Sequence, residues 1–137
     1  MKYHYEVSGD DFTRAGEASG AVKATLKRLG FPPEVIRRVA IAMYEGEINM
    51  VIHADGGDIN VDVEPDLITM VLSDRGPGIP DIDKAMQEGF STAPETVRNL
   101  GFGAGMGLPN IKKYTDSLDI ATELGKGTTI TMTVRVA

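Results

Sequence analysis

The alternation of apolar and polar positions divides this chain into short elements. Tyr3, Tyr5 and Val7 alternate with polar neighbours, so residues 2–8 read as a strand. Residues 12–29, FTRAGEASGAVKATLKRL, carry helical periodicity, and Gly30 supplies a stop. In FPPEV, Pro33 suits the first turn of a second helix, because the amide it lacks has no acceptor there. That helix is expected over about 33–53, ending before Gly56-Gly57. Its apolar residues (among them Val35, Ile36, Val39, Ile41, Met43, Ile48, Val51 and Ile52) point to nearly every side, as in a helix enclosed by its domain. DINVDV and LITMVLS then read as an antiparallel pair, turned at Glu64-Pro65-Asp66. A short helix fits 81–88, and 89–105 is irregular and rich in Gly, Ser, Thr and Pro. A helix near 106–116 and strands at 117–123 and 128–136 complete the order. In the last strand Ile130, Met132, Val134 and Val136 alternate with Thr and Arg.

The economical packing of this order is a two-layer α/β sandwich. Its helices share one face of a mixed, mainly antiparallel sheet, and the other face stays available. At 137 residues, the expectation is one domain over 1–137 with a single core.

Composition narrows the function classes. Apolar residues at 42% and charged residues at 25% are ordinary for a globular domain. No apolar run approaches the length of a membrane span, and MKYHYEVSGD lacks the apolar core of a secretion signal. The absence of cysteine excludes disulfides and thiolate metal sites and fits a reducing compartment. A soluble, cytoplasmic domain is the expectation. A net charge of −6 argues against a nucleic-acid partner, whose affinity rests on neutralising phosphates. It does not argue against one small polyphosphate, which a local backbone cradle and a metal can hold. The two histidines, His4 and His53, lie far apart in sequence and make no metal cluster by themselves.

Three stretches could carry chemistry. In GFGAGMGLPN, residues 101–110, glycines alternate with small or apolar residues ahead of a helix. The spacing matches neither the dinucleotide fingerprint nor the Walker loop. It fits either a mobile loop or a glycine loop that brings a phosphate to unpaired helix amides. In DRGPGIP, residues 74–80, Asp74 ends an apolar strand and is followed by Gly76, Pro77 and Gly78. The stretch makes a good turn, and it could equally admit a flat base whose amino group meets the Asp74 carboxylate. In YEGEIN, Glu45 and Asn49 are four apart and share one helix face with Ile41, Ile48 and Ile52. That is a surface polar pair, or a carboxylate and amide aimed at a partly dry interior beside a metal. Gly46, inside the helix, costs about 1 kcal/mol relative to Ala, which suggests close packing there.

Taken together, EGEIN, DRGPGIP and GFGAGMGLPNI, closed by GKGTTI, resemble the four boxes of the Bergerat-type ATP-binding superfamily, which includes gyrase and the sensor histidine kinases. The resemblance covers nearly the whole chain and is strongest to the stand-alone bacterial anti-sigma factors and switch serine/threonine kinases. It implies ATP and Mg²⁺ as cofactors. By it, Asn49 ligates Mg²⁺, Glu45 is the general base, and Asp74 reads the adenine amino group with support from Thr128. Gly76 and Gly78 line the adenine pocket, and Gly103, Gly105 and Gly107 offer amides to the phosphates. Residues 89–105 form the lid. The implied function is an ATP-dependent serine/threonine kinase acting on a STAS-type anti-sigma antagonist, with a sigma factor as a further partner and homodimerisation common. The alternative is an ATP-gated anti-sigma protein with little turnover; a detached ATPase half of a histidine kinase ranks below both. Arg98 in the lid could stabilise the γ-phosphate but reads first as a solvated charge, as do Lys112 and Lys113, and His53 reads as a packed or hydrogen-bonded residue. Ser91 and Thr92 read as small polar residues of the lid.

Overall fold

Period-two patterning produces one five-stranded sheet. In the computed structural model, which describes residues 1–8, 15–53, 56–76 and 107–136, the strands are β1 (Lys2–Ser8), β2 (Gly56–Val63), β3 (Leu67–Asp74), β4 (Ser117–Glu123) and β5 (Gly127–Arg135). They lie in the order β1-β2-β3-β5-β4, and every pairing among them is antiparallel. The register aligns Tyr3, Val61, Met70, Met132 and Leu118 in one row across all five strands. The next row, on the opposite face, is His4, Asn60, Val71, Thr131 and Asp119. One face is thus apolar and the other largely polar, as the alternation along each strand requires.

Among the described residues, three helices cover the apolar face: α1 (Glu17–Arg28), α2 (Pro33–His53) and α3 (Gly107–Tyr114). They contribute Val22 and Leu26, Val39 and Met43, and Leu108 and Ile111 to a core completed by Ile59, Ile68, Met70, Leu72 and Met132. Each of the large side chains among these stabilises the fold by about 1.5–3 kcal/mol through removal from water. The sandwich expected from the order of elements is the one that forms.

β2 starts at Gly56 rather than Asp58, β3 runs on to Asp74 and β5 spans Gly127–Arg135 rather than 128–136, and two helix ends differ from the pattern-based expectation by more. The first helix begins at Glu17, because Gly16 adopts a left-handed conformation (φ 96°) that ends the preceding turn. The helix after the glycine run stops at Tyr114, because Asp116 turns toward the sheet and accepts hydrogen bonds from the Arg135 amide and the Arg38 guanidinium. The short helix over 81–88 and the irregular stretch 89–105 lie outside the described residues. Among the described residues, no helix is long and apolar enough to cross a membrane.

Candidate functional site

Helix α2, which carries Glu45 and Asn49, packs on β3 near its end. The contact is close because residue 46 is glycine: a Cβ there would lie 2.5 Å from Cδ2 of Leu72, two residues before Asp74. Met50 packs against Gly57, which is the β2 partner of Asp74. Glu45 and Asn49 are half-buried, beside the half-buried Ile41 and the buried Ile48. The face they occupy borders the core, as their spacing predicts.

Asp74 is held in a fixed orientation. Its Oδ1 accepts from the Gly76 amide at 3.0 Å and from the Thr128 amide at 3.0 Å. Both bonds go to one oxygen, so Oδ2 has no protein donor among the described residues. A carboxylate anchored through one oxygen can accept a further hydrogen bond at the other, such as one from the amino group of a flat ring. The bond to Gly76 is the local turn expected of D-x-G, and the bond to Thr128 is long-range; the turn and binding readings of this motif are therefore compatible.

The approach of β5 to Asp74 depends on Gly127. Its φ is 136°, and a Cβ there would collide with the backbone carbonyl of Asp74. Thr128 is 5% exposed, and its hydroxyl pairs with that of Thr122 at 2.9 Å. Its contribution to the Asp74 corner is made by the backbone. This explains physically why GKGTT belongs with DRGPG although more than forty residues separate them.

Helix α3 completes the described part of the site. Gly107 is its first residue, so the glycine run feeds a helix start, as predicted. Asn110 lies in its first turn, and its Nδ2 donates to Glu45 Oε1 at 3.5 Å. At the far end, Arg38 Nε donates to the Tyr114 carbonyl at 3.2 Å, placing a cation where the helix dipole favours one. Lys112 and Lys113 are exposed, in keeping with solvated charges, and the Lys113 ammonium lies 5.3 Å from the Tyr114 ring centroid. Gly78, Gly103, Gly105, Arg98, Ser91, Thr92 and the side chain of His53 lie outside the described residues.

Glu45 also borders a groove of 330 Å³ between α1 and α2. One wall carries Gly16, Gly20 and Lys23, and the other carries Ala40, Ile41 and Tyr44. Nothing lies within 4 Å of where a Cβ on Gly20 would stand, whereas one on Gly16 would lie 3.2 Å from the Tyr44 ring, so the groove is open at its Gly20 end.

Sequence reasoning missed Glu47. It is 2% exposed and accepts from the Gly16 and Ala18 amides at 3.1 Å each and from the Ser19 amide at 3.0 Å. Gly16 supplies no side-chain cap to α1, so Glu47 of α2 caps that helix from outside. The available signal was a second glutamate two positions from Glu45, on another side of an otherwise apolar helix.

Comparisons with known proteins agree with this geometry. The family model of the histidine kinase-like ATPase domain matches residues 10–134. The chain is 34% identical to the serine/threonine-protein kinase RsbT of Bacillus subtilis over 108 residues, covering 76% of this chain and 75% of that protein. It is 34% identical to an anti-sigma F factor of Caldanaerobacter subterraneus over 138 residues, covering 97% and 90%. Among solved structures, the RsbU and RsbW domains of a Mycobacterium tuberculosis protein superpose with a TM-score of 0.67 at 17% identity, over 99% of this chain and 32% of that one. The mycobacterial sensor histidine kinase MprB superposes with a TM-score of 0.55 at 16% identity, over 98% and 97%. The four sequence boxes, the sheet order and these relatives agree: the chain belongs to the histidine kinase-like ATPase domain family, and ATP with Mg²⁺ is its ligand pair.

Proposed function

We propose that this chain is an ATP-dependent protein serine/threonine kinase of a cytoplasmic bacterial partner-switching pathway, acting on a STAS-type antagonist, with a sigma factor as the second partner. The observation that supports a protein substrate is the position of Glu45. It lines the open groove between α1 and α2 and, on another side, meets Asn110 at the start of α3. A base placed there can serve a hydroxyl delivered along the groove and a phosphate held at the glycine run.

In this reading Asp74 Oδ2 accepts a hydrogen bond from the adenine amino group, in the pocket that Gly76 and Gly78 border. Gly103, Gly105 and Gly107 place backbone amides at the phosphates. The donor chemistry fits a hard cation: Asn49 is half-buried one helical turn from Glu45, and Mg²⁺ prefers oxygens of its kind while keeping waters and phosphate as its other ligands. When bound, Mg²⁺ neutralises charge on the β- and γ-phosphates. The acceptor hydroxyl oxygen attacks the γ-phosphorus, the bond from that phosphorus to the β,γ-bridging oxygen breaks, and ADP leaves with the electron pair. The hydroxyl proton passes to Glu45.

The test is transfer of label from γ-labelled ATP to a purified STAS partner, with wild type and Glu45→Ala compared. The expected result is phosphoserine or phosphothreonine on the partner with wild type, and none with the variant, which still binds the partner. Similarity to anti-sigma F factors makes the second outcome specific. Partner binding that depends on ATP, without any transfer by wild type, identifies an ATP-gated binding protein instead.

A further inference from the structure

Asn110 lies in the glycine-run box GFGAGMGLPNI, where the resemblance gives it no role, yet it is the residue that joins the glycine-run helix to Glu45. Leu108 and Ile111, on either side of it, are 7% and 0% exposed, so the first turn of α3 is anchored in the core. The Asn110 side chain is half-buried, and its Nδ2 lies 3.5 Å from Glu45 Oε1 although 65 residues separate the two in sequence. The distance is at the outer limit of a hydrogen bond, as catalytic contacts often are before the reacting groups are in place. Among the described residues Asn110 is the only hydrogen-bonding partner of the Glu45 carboxylate.

The chemistry of this choice is informative. A lysine or arginine at residue 110 would form an ion pair and make Glu45 a poorer base. An aspartate would repel it. An amide donor fixes one carboxylate oxygen without adding a charge, and Oε2 remains to receive a proton. The donor also sits three residues after Gly107, so the orientation of the base is tied to the helix start that faces the phosphates.

We infer that Asn110 is a positioning residue that holds Glu45 through its Nδ2–H donor and aligns the base with the phosphate end of the site. This inference rests on the kinase reading for the role of Glu45, but the contact can be measured without it.

The experiment compares Asn110→Ala and Asn110→Asp in steady-state phosphotransfer to the STAS partner. The expected result is a kcat lower by about ten- to a hundred-fold in Asn110→Ala, the size of one hydrogen bond to a charged group, with KM for ATP and partner within about two-fold of wild type. Asn110→Asp is expected to be less active than Asn110→Ala. A merely structural role predicts the reverse, since Asp matches Asn in shape. Asn110→Asp as active as Asn110→Ala or more so, or an unchanged kcat in both, overturns the inference. Thermal unfolding of wild type, Asn110→Asp, Glu45→Gln and the double variant reads the contact independently of activity. The melting temperature lost through Asn110→Asp should shrink in the Glu45→Gln background; an equal loss in both backgrounds also overturns it. If wild type transfers no phosphate, the kinase reading falls and the unfolding cycle alone decides the role of Asn110.

Discussion

The amide of Thr128 donates to Asp74 Oδ1 at 3.0 Å, linking the start of β5 to the end of β3 across 54 residues of sequence. That bond and the one from Gly76 fix a carboxylate at the rim of the sheet, and no donor among the described residues takes its second oxygen. An acceptor held in place beforehand loses less conformational entropy on binding than a mobile one.

Replacing Asp74 by Asn tests the second oxygen. Asn keeps an oxygen for the two amides but presents an NH₂ where Oδ2 stood, and that group cannot accept from adenine. Affinity for Mg²⁺-ATP, measured by calorimetry, should fall about ten- to a hundred-fold, the size of a lost and mispaired hydrogen bond. Chemical unfolding should shift far less. Unchanged ATP affinity would place the adenine elsewhere.

Gly127→Ala tests how β5 reaches that corner. Its φ of 136° is strained for any other residue, and the added Cβ meets the Asp74 carbonyl, a backbone atom that cannot swing aside. A stability loss of about 2–4 kcal/mol in urea is expected. ATP affinity should drop with it, because the Thr128 amide is displaced. Lys126→Ala, the neighbouring position in the same exposed turn, provides the control and should leave both nearly unchanged.

Glu47→Ala removes the external cap of α1. Three amides lose a charged acceptor in a largely buried place, so the expected cost is about 2–4 kcal/mol. Hydrogen exchange should locate it: the Gly16, Ala18 and Ser19 amides lose protection beyond what global destabilisation accounts for. Equal protection in the variant would mean that water replaces the carboxylate there.

Asp116 gives a pH signature. The Arg135 amide, first, and the Arg38 guanidinium hold its carboxyl below the ordinary value of 3.8, against a smaller opposing effect of burial. A carboxyl whose folded pKa is depressed stabilises the fold above its unfolded pKa, and that contribution disappears as pH falls through the folded pKa. Asp116→Asn should therefore melt below wild type at neutral pH, and the gap should close as pH falls from about 5 to about 2. A gap that stays constant over that range would rule out an electrostatic origin. The effect should be modest, because the side chain is 34% exposed.

Much of the fold was legible because periodicity is a local property. β1 and β4 were read at their observed bounds, and α2 was read over the span it occupies, since Pro33 starts it and its apolar residues repeat along it. Gly46 was legible too: its cost in a helix implied a close neighbour, and Leu72 is that neighbour. Glu45, Asn49 and Asp74 could be singled out because each stands in a short motif whose spacing carries a chemical meaning.

Two residues could not be read this way. Glu47 looks like one more helical glutamate until α1 is laid beside α2, and only then do three unpaired amides meet its carboxylate. Asn110 looks like a polar residue after a glycine run until α3 packs on α2 and brings its amide to Glu45. The sequence by itself determined the elements, the one-sided sheet and the motifs, because those follow from side-chain period and local turn chemistry. The tertiary structure alone decided which amide faces which carboxylate, because a hydrogen bond depends on distances of a few ångströms between groups that the chain order leaves far apart.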